Sequence, residues 1–151
     1  MDEIEQPAVS ARSTPMHLWV IGVLSLLWNC IGGYDYTMTH LRDPAYLTNF
    51  PAEVMTYIDA APALFTAAWA FGVWGALAGS VALLLRSRLA VPLFALSLLG
   101  LAGTALYEHV LTPAPAYMLS GIMLGVMLLI WLIAIALLIY ARAMARLGVL
   151  R

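Results

Sequence analysis

The stretch Met118 to Tyr140, MLSGIMLGVMLLIWLIAIALLIY, carries no charged residue and decides the fold class. Wound as a helix at 1.5 Å per residue, it is roughly 34 Å long, enough to cross a hydrocarbon core of about 30 Å. A helix that is apolar on every side has no face suited to water, so its solvent is lipid or protein. Three more runs of similar length precede it, at about Leu18–Met38, Pro62–Leu85 and Leu89–Tyr107. The first holds a single charge, Asp35, near one end, and the other two hold none. The composition agrees. Of the 151 residues 64% are hydrophobic and 10% charged, a balance no soluble domain of this size can bury. The sequence therefore reads as an all-α integral membrane protein, a four-helix bundle.

The same inventory excludes several roles. A net charge of −1 with no lysine supplies no stripe to neutralise phosphates, so nucleic acid is not a partner. The lone Cys30 lies inside an apolar run, which leaves neither a disulfide framework nor a cysteine-built zinc site. The leader carries Asp2, Glu3 and Glu5, the reverse of the basic start of a signal peptide. Residues 1–15, with Pro7 and Pro15, are expected to form a disordered cytoplasmic tail. Residues 16–147 form the transmembrane domain and 148–151 its C-terminal end.

Arginine placement sets the orientation. With the N-terminus in the cytoplasm, Arg12, Arg86, Arg88, Arg142, Arg146 and Arg151 are inside and Arg42 alone is outside. Asp35, Asp43, Glu53, Asp59 and Glu108 then fall on the outer side. The expected location is a bacterial inner membrane, with both termini cytoplasmic.

Between the spans, the long outer loop runs from Thr39 to Ala61. Pro51 can open a short helix there, since its missing amide would be an orphan anyway. Val54, Met55 and Ile58 make one apolar face, so this segment is expected to lie at the interface beside Tyr46, Phe50 and Tyr57. The Arg86-Ser87-Arg88 turn makes spans two and three an antiparallel hairpin. Pro113 and Pro115 keep the last outer link extended. The fourth helix is expected to run on through Leu147 and stop at Gly148.

Helices in lipid associate by close backbone approach, so small residues spaced by four are informative. Span two has Ala68, Gly72, Ala76 and Ser80 on one stripe, with Gly75 and Gly79 beside it. Span four offers Gly121 and Gly125, and span one offers Gly22, Ser25, Asn29, Gly32 and Gly33. These are packing positions, either within the bundle or towards a second copy or a partner membrane protein. Asn29, near the middle of span one, must face protein, because an unpartnered amide in hydrocarbon costs several kcal/mol.

The outer rim gathers the remaining polar groups. Trp28, Gly32, Asp35 and Thr39 share one face of span one, while Ser97, Gly100, Thr104 and Glu108 share one face of span three. His40 and His109 lie at similar depth. Asn29, Asp35, Thr39, His40, Thr104, Glu108 and His109 are thus the candidate polar site, since ionisable groups within spans are functional suspects. Arg42, two turns beyond Asp35 on the same face, is available as its structural partner. Two histidines on different elements give no metal-ligand spacing and no facing pair for haem. No nucleophile–base pair, phosphate-cradling loop or catalytic carboxylate pair is visible, so neither an enzyme nor a cofactor is expected.

Trp28-Asn29, Gly33, Asp35-Tyr36-Thr37-Met38-Thr39, Tyr46-Leu47, Trp69, Trp74-Gly75, Gly79-Ser80 and the tail Ala141-Arg142-Ala143-Met144-Ala145-Arg146 form a recognisable set. The set resembles a family of small, uncharacterised four-span bacterial inner-membrane proteins, some of them automatically labelled sugar transporters. The paired proline-glutamine signature of small sugar facilitators is absent. The expected role is an accessory or structural membrane component acting through helix–helix association. The alternative is a small transporter of a sugar or other polar solute, and a third class is a proton-linked or sensing subunit. Four spans without an inverted repeat hardly enclose a solute path, so transport would require an oligomer.

Overall fold

The structure is a computed structural model that describes residues 14–151. The expected tail, apart from Thr14 and Pro15, lies outside the described residues. Four helices are long and apolar enough to cross a membrane: α1 (Met16–Leu41), α4 (Ala63–Leu84), α5 (Ala90–Leu106) and α6 (Gly121–Arg146). A π-helical turn, Tyr107–Leu111, prolongs α5. Two short helices, α2 (Pro44–Leu47) and α3 (Ala52–Ala60), occupy the long loop. No strand occurs among the described residues. The chain is an all-α, multi-pass membrane bundle.

The order across the bundle is α1, α4, α5, α6, with each helix packed on the next. The α4–α5 hairpin is the tightest contact, and small residues make it so. A Cβ at Gly100 would run into the backbone of Ala68 and Gly72, and one at Gly75 would sit 3.0 Å from Ser97 N. Ser97 Oγ donates to Gly72 O at 2.6 Å across this crossing. The expected stripe of Ala68, Gly72, Ala76 and Ser80 divides: Ala68 and Gly72 meet α5, and Ala76 and Ser80 serve the other neighbour, α1. Asn29 Nδ2 donates to Ser80 Oγ at 2.9 Å and to Ala76 O at 3.3 Å, and Ser80 Oγ donates to Ala76 O. Asn29 thus locks α1 to α4 and has no part in the polar rim.

Three helix ends close with a residue in the left-handed region. At Gly148, φ is 72°, and the paired bonds Gly148 N to Ala145 O and Val149 N to Met144 O complete the stop. Arg42 and Arg86, both at φ 57°, take the same conformation without glycine's freedom. Arg42 is therefore turned off the α1 face and pairs with Asp59 at the end of α3. The expected Asp35–Arg42 partnership is replaced by this one.

The two ends of the bundle differ. At the arginine end, Leu18, Leu83, Phe94, Leu137, Ala141, Met144 and Leu150 form the buried core. The last residues seal it: Arg88 N donates to Arg151 O, Arg151 N to Arg86 O, and Arg88 Nε to Leu150 O. At the other end, here called the loop end, α6 stands away from its neighbours. Its buried residues, Leu137, Ala141 and Met144, all belong to the arginine-end half. A Cβ at Gly121 or Gly125 would meet nothing within 4 Å, so the packing expected of them does not occur among the described residues.

Candidate functional site

The space left by α6 at the loop end is a cavity of about 300 Å³. Asp35 and Thr39 of α1, Phe65 and Trp69 of α4, and Leu101 and Thr104 of α5 line it, with Glu108 and His109 from the π-helical turn. Met123, Val126, Met127 and Ile130 of α6 form its far wall. The short helix α3 covers the mouth. Its Val54, Met55 and Ile58 line the cavity, while Glu53, Thr56 and Asp59 face out. The apolar face expected to meet lipid headgroups is thus turned into the bundle instead.

Local chemistry holds this cover in place. Pro51 precedes α3 and accepts from Val54 N at 3.0 Å. Tyr57 OH donates to Thr112 O at 3.0 Å, which ties α3 to the chain just past the π-helical turn. Around that bond, the Phe65 ring lies 4.8 Å from Tyr107 and 6.4 Å from Trp69. Burial, with the Glu108 carboxylate and the Tyr107 phenol nearby, pushes the Tyr57 phenol up to about 12.

On the α1 side, Tyr46 OH donates to Asp35 Oδ1 at 2.5 Å. Tyr46 is itself fixed by α2, whose cap Asp43 accepts from Tyr46 N at 2.8 Å. Burial and the Asp35 carboxylate together push the Tyr46 phenol up, so it remains a donor at any physiological pH. A phenol donor matched to a carboxylate acceptor is a charge-assisted bond, stronger than a neutral one.

The seven candidate residues divide. Asp35, Thr39, Thr104, Glu108 and His109 come together around one cavity. His40 does not line it: its ring stacks on Tyr36 at 4.0 Å and its Nδ1 meets Tyr36 O. Asn29 sits at the α1–α4 contact. Sequence reasoning missed Tyr46 as Asp35's donor and the methionine-rich wall formed by Met55, Met118, Met123 and Met127. It also missed the π-helical turn, a feature found often at functional sites.

Chemically the cavity is an apolar container with a polar rim. Among the described residues, two carboxylates and one histidine line it and no arginine does. Among the described residues no group of three His, Cys, Asp or Glu side chains is placed to hold a metal ion. Comparison with protein-family models, curated proteins and solved structures finds no match, so the cavity's own chemistry must carry the functional argument.

Proposed function

We propose that this protein is an accessory component of a bacterial inner membrane whose loop-end cavity binds an amphiphile with a cationic or hydrogen-bond-donating head. The observation that carries this reading is the pairing of apolar walls with Asp35 and Glu108 at the rim, with no arginine among the described residues that line it. Binding pockets of about 300 Å³ and above hold small molecules by mostly apolar contact plus a few placed polar groups. Methionines adapt to irregular apolar shapes, and the Trp69 and Phe65 faces favour a cation.

The sugar-transport alternative fits this cavity less well. A sugar gives up water from many hydroxyls, each costing about 1–3 kcal/mol if left unpaired, and these walls offer few partners. The arginine-end core also blocks a path through the bundle in this conformation. Orientation follows the arginine bias, which puts the cavity at the level of the outer leaflet and both termini in the cytoplasm. In a Cys30→Ser background, a thiol at Thr48 is expected to react with an impermeant reagent in intact cells, and one at Ser87 only after permeabilisation.

The test of ligand class is thermal unfolding of the purified protein with octadecylamine or octadecanoate. At a hundredfold excess over Kd, the amine is expected to add about 2.7 kcal/mol of stability, and the carboxylate much less. The double variant Asp35→Asn with Glu108→Gln is expected to lose the preference. An equal response to both probes, or a preference that survives in the double variant, would overturn the reading.

A further inference from the structure

The cavity does not end at Asp35. On α1, Ile21, Ser25, Trp28, Gly32, Asp35 and Thr39 follow steps of four, three, four, three and four. At about 100° per residue these steps keep them on one face. The upper members, Asp35 and Thr39, line the loop-end cavity. The lower ones, Ile21, Ser25 and Trp28, line a second cavity of about 340 Å³. Its opposite wall is Ile133 and Leu137 of α6. These continue the helical face on which Met123, Met127 and Ile130 line the first cavity.

Gly32 falls between the two cavities, and a Cβ there would meet nothing within 4 Å. The seam between α1 and α6 is thus unfilled at Gly32, between the upper cavity and the more open lower one. It closes at the arginine end, where His17 Nδ1 and Tyr140 OH are 2.6 Å apart. Asp35 to Ile21 spans roughly 21 Å of helical rise, longer than the ~15 Å depth of one leaflet's hydrocarbon.

We infer that the seam is a lateral entrance from the bilayer and that the ligand is a single-chain amphiphile. Its amine-bearing head lies at Asp35 and Glu108, and its chain runs past Gly32 into the Trp28–Ile133 cavity. This inference rests on the amphiphile reading above and adds chain length and route to it. Charge complementarity selects the head, because the upper end of the seam carries two carboxylates, and the lower end carries no charge, its polar groups being the Trp28 indole and Ser25, whose hydroxyl donates to Gly22 O. The shape selects the tail. Two concavities in line, joined at a glycine, fit an alkyl chain better than the convex side of another helix.

Two octadecylamine probes test it in nanodiscs, one with a diazirine beside the amine and one with it at the methyl end. After photolysis, the head probe is expected to label rim residues such as Thr104 and Met123. The tail probe is expected to label Ile21–Trp28 and Ile133–Leu137. Gly32→Phe fills open space, so it folds normally; it is expected to cut tail labelling of the lower cavity about tenfold or more while head labelling persists, the loss of two or so buried methylenes being enough. Leu24→Trp, at the lower cavity's lip, is expected to do the same.

The failures are distinguishable. If the head probe labels no rim residue in the wild type, the amphiphile reading itself falls. If the head probe labels the rim but the tail probe labels it too, or if neither substitution alters lower-cavity labelling, only the inference of a seam-bound chain is overturned. Crosslinks between two copies through the seam, at the expense of tail labelling, would also overturn it.

Discussion

The arginine end and the loop end of this bundle are built from similar residues and packed in opposite ways. At the arginine end, α1, α4, α5 and α6 converge on Phe94 and Leu83, and the final residues of the chain fill the remaining space. At the loop end α4 and α5 stay together at Ala68, Gly72 and Gly100 while α6 stands away, and a short amphipathic helix covers the cavity this leaves. Lipid tails are as apolar as leucine, so burial alone does not drive helices together in a membrane. What separates the two ends is close packing and hydrogen bonding. Glycines and serines hold α4 to α5 along their length, whereas α6 is buried only at Leu137, Ala141 and Met144 and its loop-end glycines, Gly121 and Gly125, meet no neighbour among the described residues.

The largest expected effect tests whether stability resides at the arginine end. Phe94 is fully enclosed, so Phe94→Ala leaves a cavity that cannot collapse and is expected to cost about 3 kcal/mol, the low end for such truncations because lipid competes for the ring. Met123→Ala, on the cavity wall, is expected to change stability by less than about 0.5 kcal/mol. Thermal unfolding in detergent compares the two. Equal losses would mean that the loop end is as tightly packed as the other.

A smaller effect separates two kinds of glycine. A Cβ at Gly79 would lie 2.7 Å from the buried Phe94 ring, so Gly79→Leu is expected to cost about 1–3 kcal/mol by overpacking. Gly125→Leu enters open space and is expected to leave unfolding unchanged. A change in oligomeric state on Gly125→Leu, with stability intact, would mark that face as the contact for a second copy.

Much of the fold was legible because membrane spans announce themselves by length and charge. The runs around Leu18–Met38 and Met118–Tyr140 lie within α1 and along α6, and the Arg86-Ser87-Arg88 turn does join a hairpin. The small residues of α4 could be read as packing positions, but sequence spacing cannot say which neighbour each meets, and the stripe of Ala68, Gly72, Ala76 and Ser80 divides between α5 and α1. Gly75 and Gly79 face α5, while Ala76 and Ser80 face α1. The candidate site was legible in depth and not in direction. Asp35 and Glu108 could be placed at one level, yet Arg42's turn into the left-handed region, which gives Asp35 to Tyr46, depends on backbone geometry. The cavity itself was invisible, since a void leaves no mark in a pattern of apolar residues.

At the rim, Tyr46→Phe removes the donor to Asp35 and leaves its carboxylate short of one bond. The expected cost is about 1.5 kcal/mol, the lower end for bonds to charged groups because the pair is only half-buried. Asp35→Asn keeps a carbonyl acceptor and is expected to cost less, while abolishing the preference for an amine probe. If Asp35→Asn proves the more destabilising of the two, Asp35 serves mainly as a structural acceptor and the rim loses its claim as the head-binding end.

The smallest expected effect concerns the cover of the cavity and appears only in alkali. Tyr57 OH bonds Thr112 O, and a neutral bond of this kind contributes about 0.5–1 kcal/mol. The folded phenol is pushed up to about 12 by burial and by Glu108, whereas an unfolded one titrates near its ordinary value of 10.0. A raised phenol means that the folded chain holds its proton more tightly than the unfolded chain. Its contribution is therefore complete below pH 10 and is lost as pH rises towards 12. Unfolding temperature followed across that window is expected to fall less steeply in Tyr57→Phe than in the wild type, so that the wild type's advantage shrinks as pH rises. Since Tyr57 holds α3 and not the arginine-end core, hydrogen exchange in α3 is expected to rise in the variant while the Phe94 region stays protected. Equal loosening of both regions would show that the two ends unfold as one unit and that the cover is no independent element.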